Sequence, residues 1–261
     1  MWTALWKKEW QESIPRFAVI MGILLLAYAA MIYFAFNGSG YSILLGFLSI
    51  GLHTVFLFLV WALSFHGEWK GKTQWTWLNI PASGWKLVTS KLAVGFTQFL
   101  ISVVLLTVVG FWTLSLFGEH AQQVEENGIA VIFDALWALY PLLIGLLMSV
   151  GVTLGLGAVF TILMMRIIKP FGWAVGIAVW GVFVYAIMRF TQTPVYEAMF
   201  RHGQLFDAEA QLQEAVVGNA TFQLEVDEGI YLFAGEIAFE LLAIAAVIVL
   251  FSWLVDRFVQ A

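Results

Sequence analysis

Residues 67–73 read Gly-Glu-Trp-Lys-Gly-Lys-Thr and end like a phosphate-binding loop, whose backbone amides and lysine would cradle a nucleotide. The spacing between the glycines is one residue short. Such a loop also has to join a β-strand to a helix in a soluble sheet, whereas this one follows directly on a long apolar run. ATP hydrolysis by the chain itself is therefore not expected. The other candidates for chemistry are ionisable residues inside apolar runs, because one charge at the centre of a bilayer helix costs about 2.5–3.5 kcal/mol on insertion scales. Glu236 and Glu240 are four residues apart and share one helix face. They could line a polar vestibule and meet a cationic group, or simply reach toward the outer interface. Asp134 has the same two readings, and His53 is either a hydrogen-bonded packing residue or a carrier of protons or metal. With no cysteine, no His-Glu-x-x-His and no nucleophile elbow, the chain is expected to hold neither a catalytic centre nor a metal site.

Those residues have to be positioned by elements that live in lipid. Of 261 residues 62% are hydrophobic and only 11% charged, more apolar surface than a water-soluble core can hide. In a bilayer every backbone polar group must be satisfied within a helix or a closed barrel, and long unbroken apolar runs select helices. Runs near 17–36, 42–66, 92–117, 132–165, 171–189 and 230–255 predict six spans, with a kink or an interfacial first turn at Pro141 in the fourth. The first run is read as an uncleaved helix rather than a signal peptide. The expected fold class is an all-α membrane protein, one domain over 1–261, with six transmembrane helices preceded by an interfacial amphipathic N-terminal helix at 1–16.

The distribution of charge orients the spans, since Lys and Arg collect on the cytoplasmic side. With the amino terminus inside, Lys7, Lys8, Arg16, Lys70, Lys72, Lys86, Lys91, Arg166, Lys169 and Arg257 all fall inside, ten of the twelve basic residues. The outer loops carry Glu119, Glu125 and Glu126, then Glu197, Asp207, Glu209, Glu214, Glu225, Asp227 and Glu228. Both termini are expected in the cytoplasm of a cell with the chain in its inner or plasma membrane. Residues 190–229 are the sizeable outer segment and are expected to hold short helices at the membrane surface. No basic run suggests nucleic acid.

Two segments read as more than spans. Trp2, Leu5, Trp6, Trp10 and Ile14 recur at helical spacing with Lys7, Lys8, Gln11 and Glu12 directed elsewhere, which is an interfacial helix serving as an anchor or as a moving part. Residues 67–91, between the second and third spans, carry Trp75, Trp77, Leu78 and Trp85 among polar residues. So many tryptophans require the membrane interface or a docked partner. Gly151/Gly155 and Gly172/Gly176 have the spacing that lets helices approach closely.

The order Glu68, Thr73, Leu78, Pro81, Ser83 and Lys91 after a second span resembles the type 2 family of ATP-binding-cassette exporter permeases. The interfacial amino-terminal helix, the six spans and the long outer connection before the sixth span agree with that family in topology. The loop is richer in tryptophan than the family pattern, and Gly84-Trp85 stands where the family often has Arg and a hydrophobic residue. The resemblance implies that 67–91 is a coupling loop docking a separate ATPase subunit through Glu68, Thr73, Trp75, Trp77, Leu78, Pro81 and Lys91. It further implies that ATP and Mg bind that partner and not this chain, and that a second permease chain, identical or a sister, completes the pathway. The substrate would be an amphiphile such as a lipid-linked intermediate or a peptide antibiotic, with Glu236, Glu240 and His53 as candidate pathway residues and membrane lipid as surroundings. Two rivals share the topology: an ion-coupled secondary transporter using Glu236, Glu240, Asp134 or His53, and a membrane scaffold or sensor.

Overall fold

The computed structural model describes residues 1–122, 127–208, 210–212 and 231–259. Nine helices appear among them: α1 (Trp2–Phe36), α2 (Tyr41–Thr54), α3 (Phe56–Lys70), α4 (Gln74–Leu78), α5 (Gly84–Gln122), α6 (Asn127–Ile167), α7 (Gly172–Thr191), α8 (Pro194–Phe200) and α9 (Ala234–Leu254). A short π-helical turn, Val255–Val259, follows α9. Six helical segments are long and apolar enough to cross a membrane: Trp2–Phe36, Tyr41–Lys70, Gly84–Leu116, Ala135–Ile167, Gly172–Thr191 and Ala234–Phe258. The second of these is α2 and α3 in sequence, with a hitch at Val55. The protein is therefore an all-helical, multi-pass membrane protein, as the apolar runs predict.

The amino-terminal segment departs from the expected boundary. Residues 1–16 and the first span form one continuous helix that carries Pro15 inside it. One proline costs the helix a backbone bond, and helices packed in a bundle tolerate that loss. Leu5, Glu9 and Ser13 recur every four residues and are buried, so one stripe of this helix already faces protein.

Side-chain contacts fix the direction in which the spans run. Trp2 Nε1 donates to Thr89 Oγ1 at 3.0 Å, Lys91 Nζ to Glu9 at 2.6 Å and Gln98 Nε2 to Ser13 Oγ at 2.6 Å, so α1 and α5 lie parallel. In the opposite sense His53 lies beside Ser102, Trp61 Nε1 donates to Leu92 O and Lys91 reaches Glu68, so the second span is antiparallel to α5. Asp256 accepts from the backbone N–H of Gly84 at 2.8 Å. Both termini thus meet the start of α5 at one end of the bundle, hereafter the terminal face. The other end is the far face.

Glycines set the tightest crossings. A Cβ at Gly172 would fall on the Met164 carbonyl, and one at Gly176 would lie 2.7 Å from Thr161 Cα, so α6 and α7 cross at near-backbone distance. Gly155 of α6 and Gly95 of α5 both press on the indole of Trp61, which is 3% exposed and fills the space between three spans. Gly151 makes ordinary contact with Phe99 and Leu57.

The far-face segment differs from its sequence expectation in one respect. Beyond the short helix α8 it forms an antiparallel ribbon, β1 (Gln204–Asp207) with β2 (Tyr231–Phe233), where only helices were anticipated. Pairing these short strands brings the chain back to the start of α9, and Gly235 there packs under the Phe200 carbonyl with no room for a Cβ.

Candidate functional site

Helix α3 ends in a Schellman turn. Thr73 N–H bonds to Glu68 O at 2.9 Å and Lys72 N–H to Trp69 O at 3.3 Å, with Lys72 in the left-handed region at φ 57° where glycine is the usual choice. Gly67–Lys70 is therefore the last helical turn of a span, and not the flexible phosphate cradle its letters resemble. The turn folds α4 back under α3. Trp77 then meets Phe65 and Trp69 edge-on, at ring-centroid distances of 6.1 and 6.2 Å.

The same turn closes a buried charge cluster. Lys91 Nζ lies 2.6 Å from Glu9 Oε2 and 2.7 Å from Glu68 Oε1, and the Thr73 hydroxyl donates to Glu68 Oε2 at 2.6 Å. The face of the Trp77 ring lies 5.3 Å from the ammonium. Lys91 is 2% exposed, Glu9 4% and Glu68 5%. Charges removed from water persist only when paired and hydrogen-bonded, and here each carboxylate has a cation and the cation has two carboxylates and a π face. Lys8 adds a second cation 3.4 Å from Glu9 and pairs with Glu12. The cluster welds α1, α3, α5 and the turn into α4 into one unit.

Glu68, Thr73, Lys91 and Trp77 are thus brought together, but as an internal brace. Trp77 is 1% exposed and Leu78 9%, so both are already packed inside their own chain and present little area to a partner. The segment shows its neighbours Trp75, 66% exposed, and Pro81 to the outside. Glu9 is the cluster member that the sequence reading missed. The signal available was the Leu5, Glu9, Ser13 stripe, which places an acid on the apolar face of the helix.

At the far face a second arrangement forms. A cleft of about 1230 Å³ runs between α6, α7 and α9 and is floored by α5, with Phe96, Leu146, Val152, Phe183 and Ile244 among its apolar walls. Glu236 and Glu240 line its far-face end together with Tyr196 and Arg201. Arg201 is 2.8 Å from Glu197 and its Nε lies 3.5 Å from Glu236, which also accepts from the N–H of Phe233 at the start of α9. Tyr196 and Phe200 pack on Phe239 at 5.2 and 4.9 Å. The Tyr196 phenol is pushed above its ordinary pKa, first by burial and then by the Glu236 and Glu240 carboxylates, with Arg201 opposing. It remains a neutral hydrogen-bond donor. Glu236 and Glu240 thus share the lining of one cleft.

His53 is elsewhere. It is fully buried, with Nδ1 2.7 Å from Ser49 O and Nε2 3.1 Å from the Tyr28 hydroxyl and 3.2 Å from Ser102 O. It forms no part of the cleft and joins α1 to α2, the packing role. Asp134 lies outside the residues whose side chains are described.

Comparison with protein-family models, with curated proteins and with solved structures finds no match to this chain. The fold and the two sites define a multi-pass helical membrane protein with a braced loop at one face and a long cleft between the spans whose acidic residues lie toward the other.

Proposed function

We propose that this chain is the membrane-spanning subunit of an ATP-driven exporter, which binds and passes an amphiphile while a separate ATPase subunit docks on residues 67–91. The observation that carries this reading is the Glu9–Lys91–Glu68–Thr73 cluster. A surface segment held by buried ion pairs to the ends of three spans transmits a push into the membrane and does not absorb it. A second permease chain completes the pathway, ATP and Mg belong to the ATPase, and the chain performs no covalent chemistry. The rival ion-coupled mechanism draws less support, since His53 lies outside the cleft that holds Glu236 and Glu240.

The docking test uses Trp75, because its ring is exposed and its removal leaves the brace intact. Replacing Trp75 with alanine is expected to reduce co-purification of an ATP-hydrolysing subunit from native membranes by roughly tenfold or more, as interface tryptophans do, with no change in thermal midpoint. Undiminished association, or no such subunit in the wild-type preparation, removes the reading.

The proposed orientation puts the terminal face in the cytoplasm, on the ten-to-two division of basic residues. The chain has no cysteine, so single cysteines report cleanly. In intact cells an impermeant maleimide is expected to label position 210 and to leave position 75 unlabelled. The reverse pattern inverts the topology and moves the braced loop away from any cytoplasmic ATPase.

A further inference from the structure

We propose that the cleft between α6, α7 and α9 is a binding site for an amphiphile with a positively charged ammonium head group, the head between Glu236, Glu240 and the Phe239 ring, the tail along the apolar walls. The proposal rests on the exporter reading and names the substrate class of its pathway.

Charge carries the first part. Glu236 and Glu240 line the cleft with one cation, Arg201, which already serves Glu197 outside it at 2.8 Å and reaches Glu236 only at 3.5 Å. Glu240 stands one helical turn deeper and has neither an ion pair nor a hydrogen bond among the described residues. Two carboxylates and one guanidinium leave the lining one charge negative, in a setting where an uncompensated carboxylate is costly. An anionic or neutral head group would add to that cost or leave it, and a cation removes it.

Ring geometry carries the second. Phe239 lines the cleft beside the carboxylates and is held in place by the buried Tyr196 ring and by Phe200. Aromatic faces next to acids are the recognition chemistry of ammonium groups, especially alkylated ones that acids alone bind poorly.

Shape carries the third. Along α9 the lining runs from Glu236 to Ile248, a rise of about 18 Å. That length suits an extended alkyl chain lying parallel to the lipid tails. The small polar groups Ser149 and Thr153 are scattered among the apolar walls, and nothing charged lines the cleft below Glu240. A head group is therefore held at one end only.

The test uses the full chain in nanodiscs of uncharged lipid, titrated with dodecyltrimethylammonium, with empty discs subtracted. Saturable binding is expected, with dodecyl sulfate showing none. Glu240→Gln, which keeps the shape, is expected to weaken binding by roughly tenfold or more, the loss typical of a charge-assisted contact. Val152→Trp, which fills the cleft far from the acids, is expected to weaken it as well. Equal binding of the sulfate, or insensitivity to Glu240→Gln, overturns the proposal. So does disulfide-linked dimer formation between cysteines placed at Val182 and Leu241 of two copies when no ammonium binds, since the cleft is then an interface between chains. The measurement needs no ATPase. Loss of ammonium binding with ATPase association intact removes this inference alone, and the converse removes the exporter reading alone.

Discussion

Replacing Lys91 with methionine is expected to destabilise the folded chain by about 3–5 kcal/mol, the cost of leaving buried carboxylates without their cation. The side chain is 2% exposed and supplies the short contacts to Glu9 and Glu68, so no nearby water can take its place. Lys8 cannot substitute, because its ammonium already lies between Glu9 and Glu12. The measurement is the thermal midpoint of the detergent-purified protein beside that of Lys7→Met, an exposed control. Charge imbalance is distinguished from lost packing by the triple variant Glu9→Gln/Glu68→Gln/Lys91→Met. Neutralising all three members is expected to recover most of the stability, since a buried ion cluster and a neutral isostere are often close in free energy. A Lys91→Met protein as stable as the control would show that the cluster braces nothing.

The second large effect centres on Trp61. Its indole packs against the backbone at Gly95 and Gly155 and donates to Leu92 O at 3.1 Å, tying α3 to both α5 and α6. Trp61→Ala is expected to cost about 3–5 kcal/mol, the range for emptying a large aromatic site. Gly155→Leu is expected to be damaging alone, because its side chain would need the volume the indole fills. Combined, the two changes are complementary in volume. The double variant is expected to lie well above the sum of the single losses in a double-mutant cycle read by heat-induced aggregation. Additive losses would mean that Gly155 is required for something other than accommodating Trp61.

Much of this fold is legible in the sequence because lipid imposes one simple rule, that each crossing needs an apolar run of helical length. The limits of the six runs and the membrane-spanning helices agree within a few residues except at α1, where the helix continues unbroken from Trp2, and at α5, which begins at Gly84, eight residues before its run. The cleft acids were legible for the same reason, since two carboxylates on one face of a span require a polar destination. Pairings between distant elements were not. Glu9 and Lys91 are 82 residues apart, and although the Leu5, Glu9, Ser13 stripe marks an acid on the buried face, nothing local names the cation that meets it. Trp77 was misplaced by a similar blindness. Its composition demanded an apolar environment, and only the turn through Lys72 reveals that the chain supplies that environment itself by folding α4 beneath α3. The β1–β2 ribbon left no trace because strands of four and three residues are too short to show an alternation.

The separation of Glu9 from Lys91 also bears on biogenesis. A ribosome adding about 5–20 residues per second needs roughly 4–16 s to make the chain between them. For that interval Glu9 has only the half-exposed Lys8 beside it, and the second span adds a further acid, Glu68, to the cluster. Neither hairpin partner can neutralise the other. The third span delivers the lysine that both require, so the smallest unit that leaves the insertion machinery with its charges matched is three helices long.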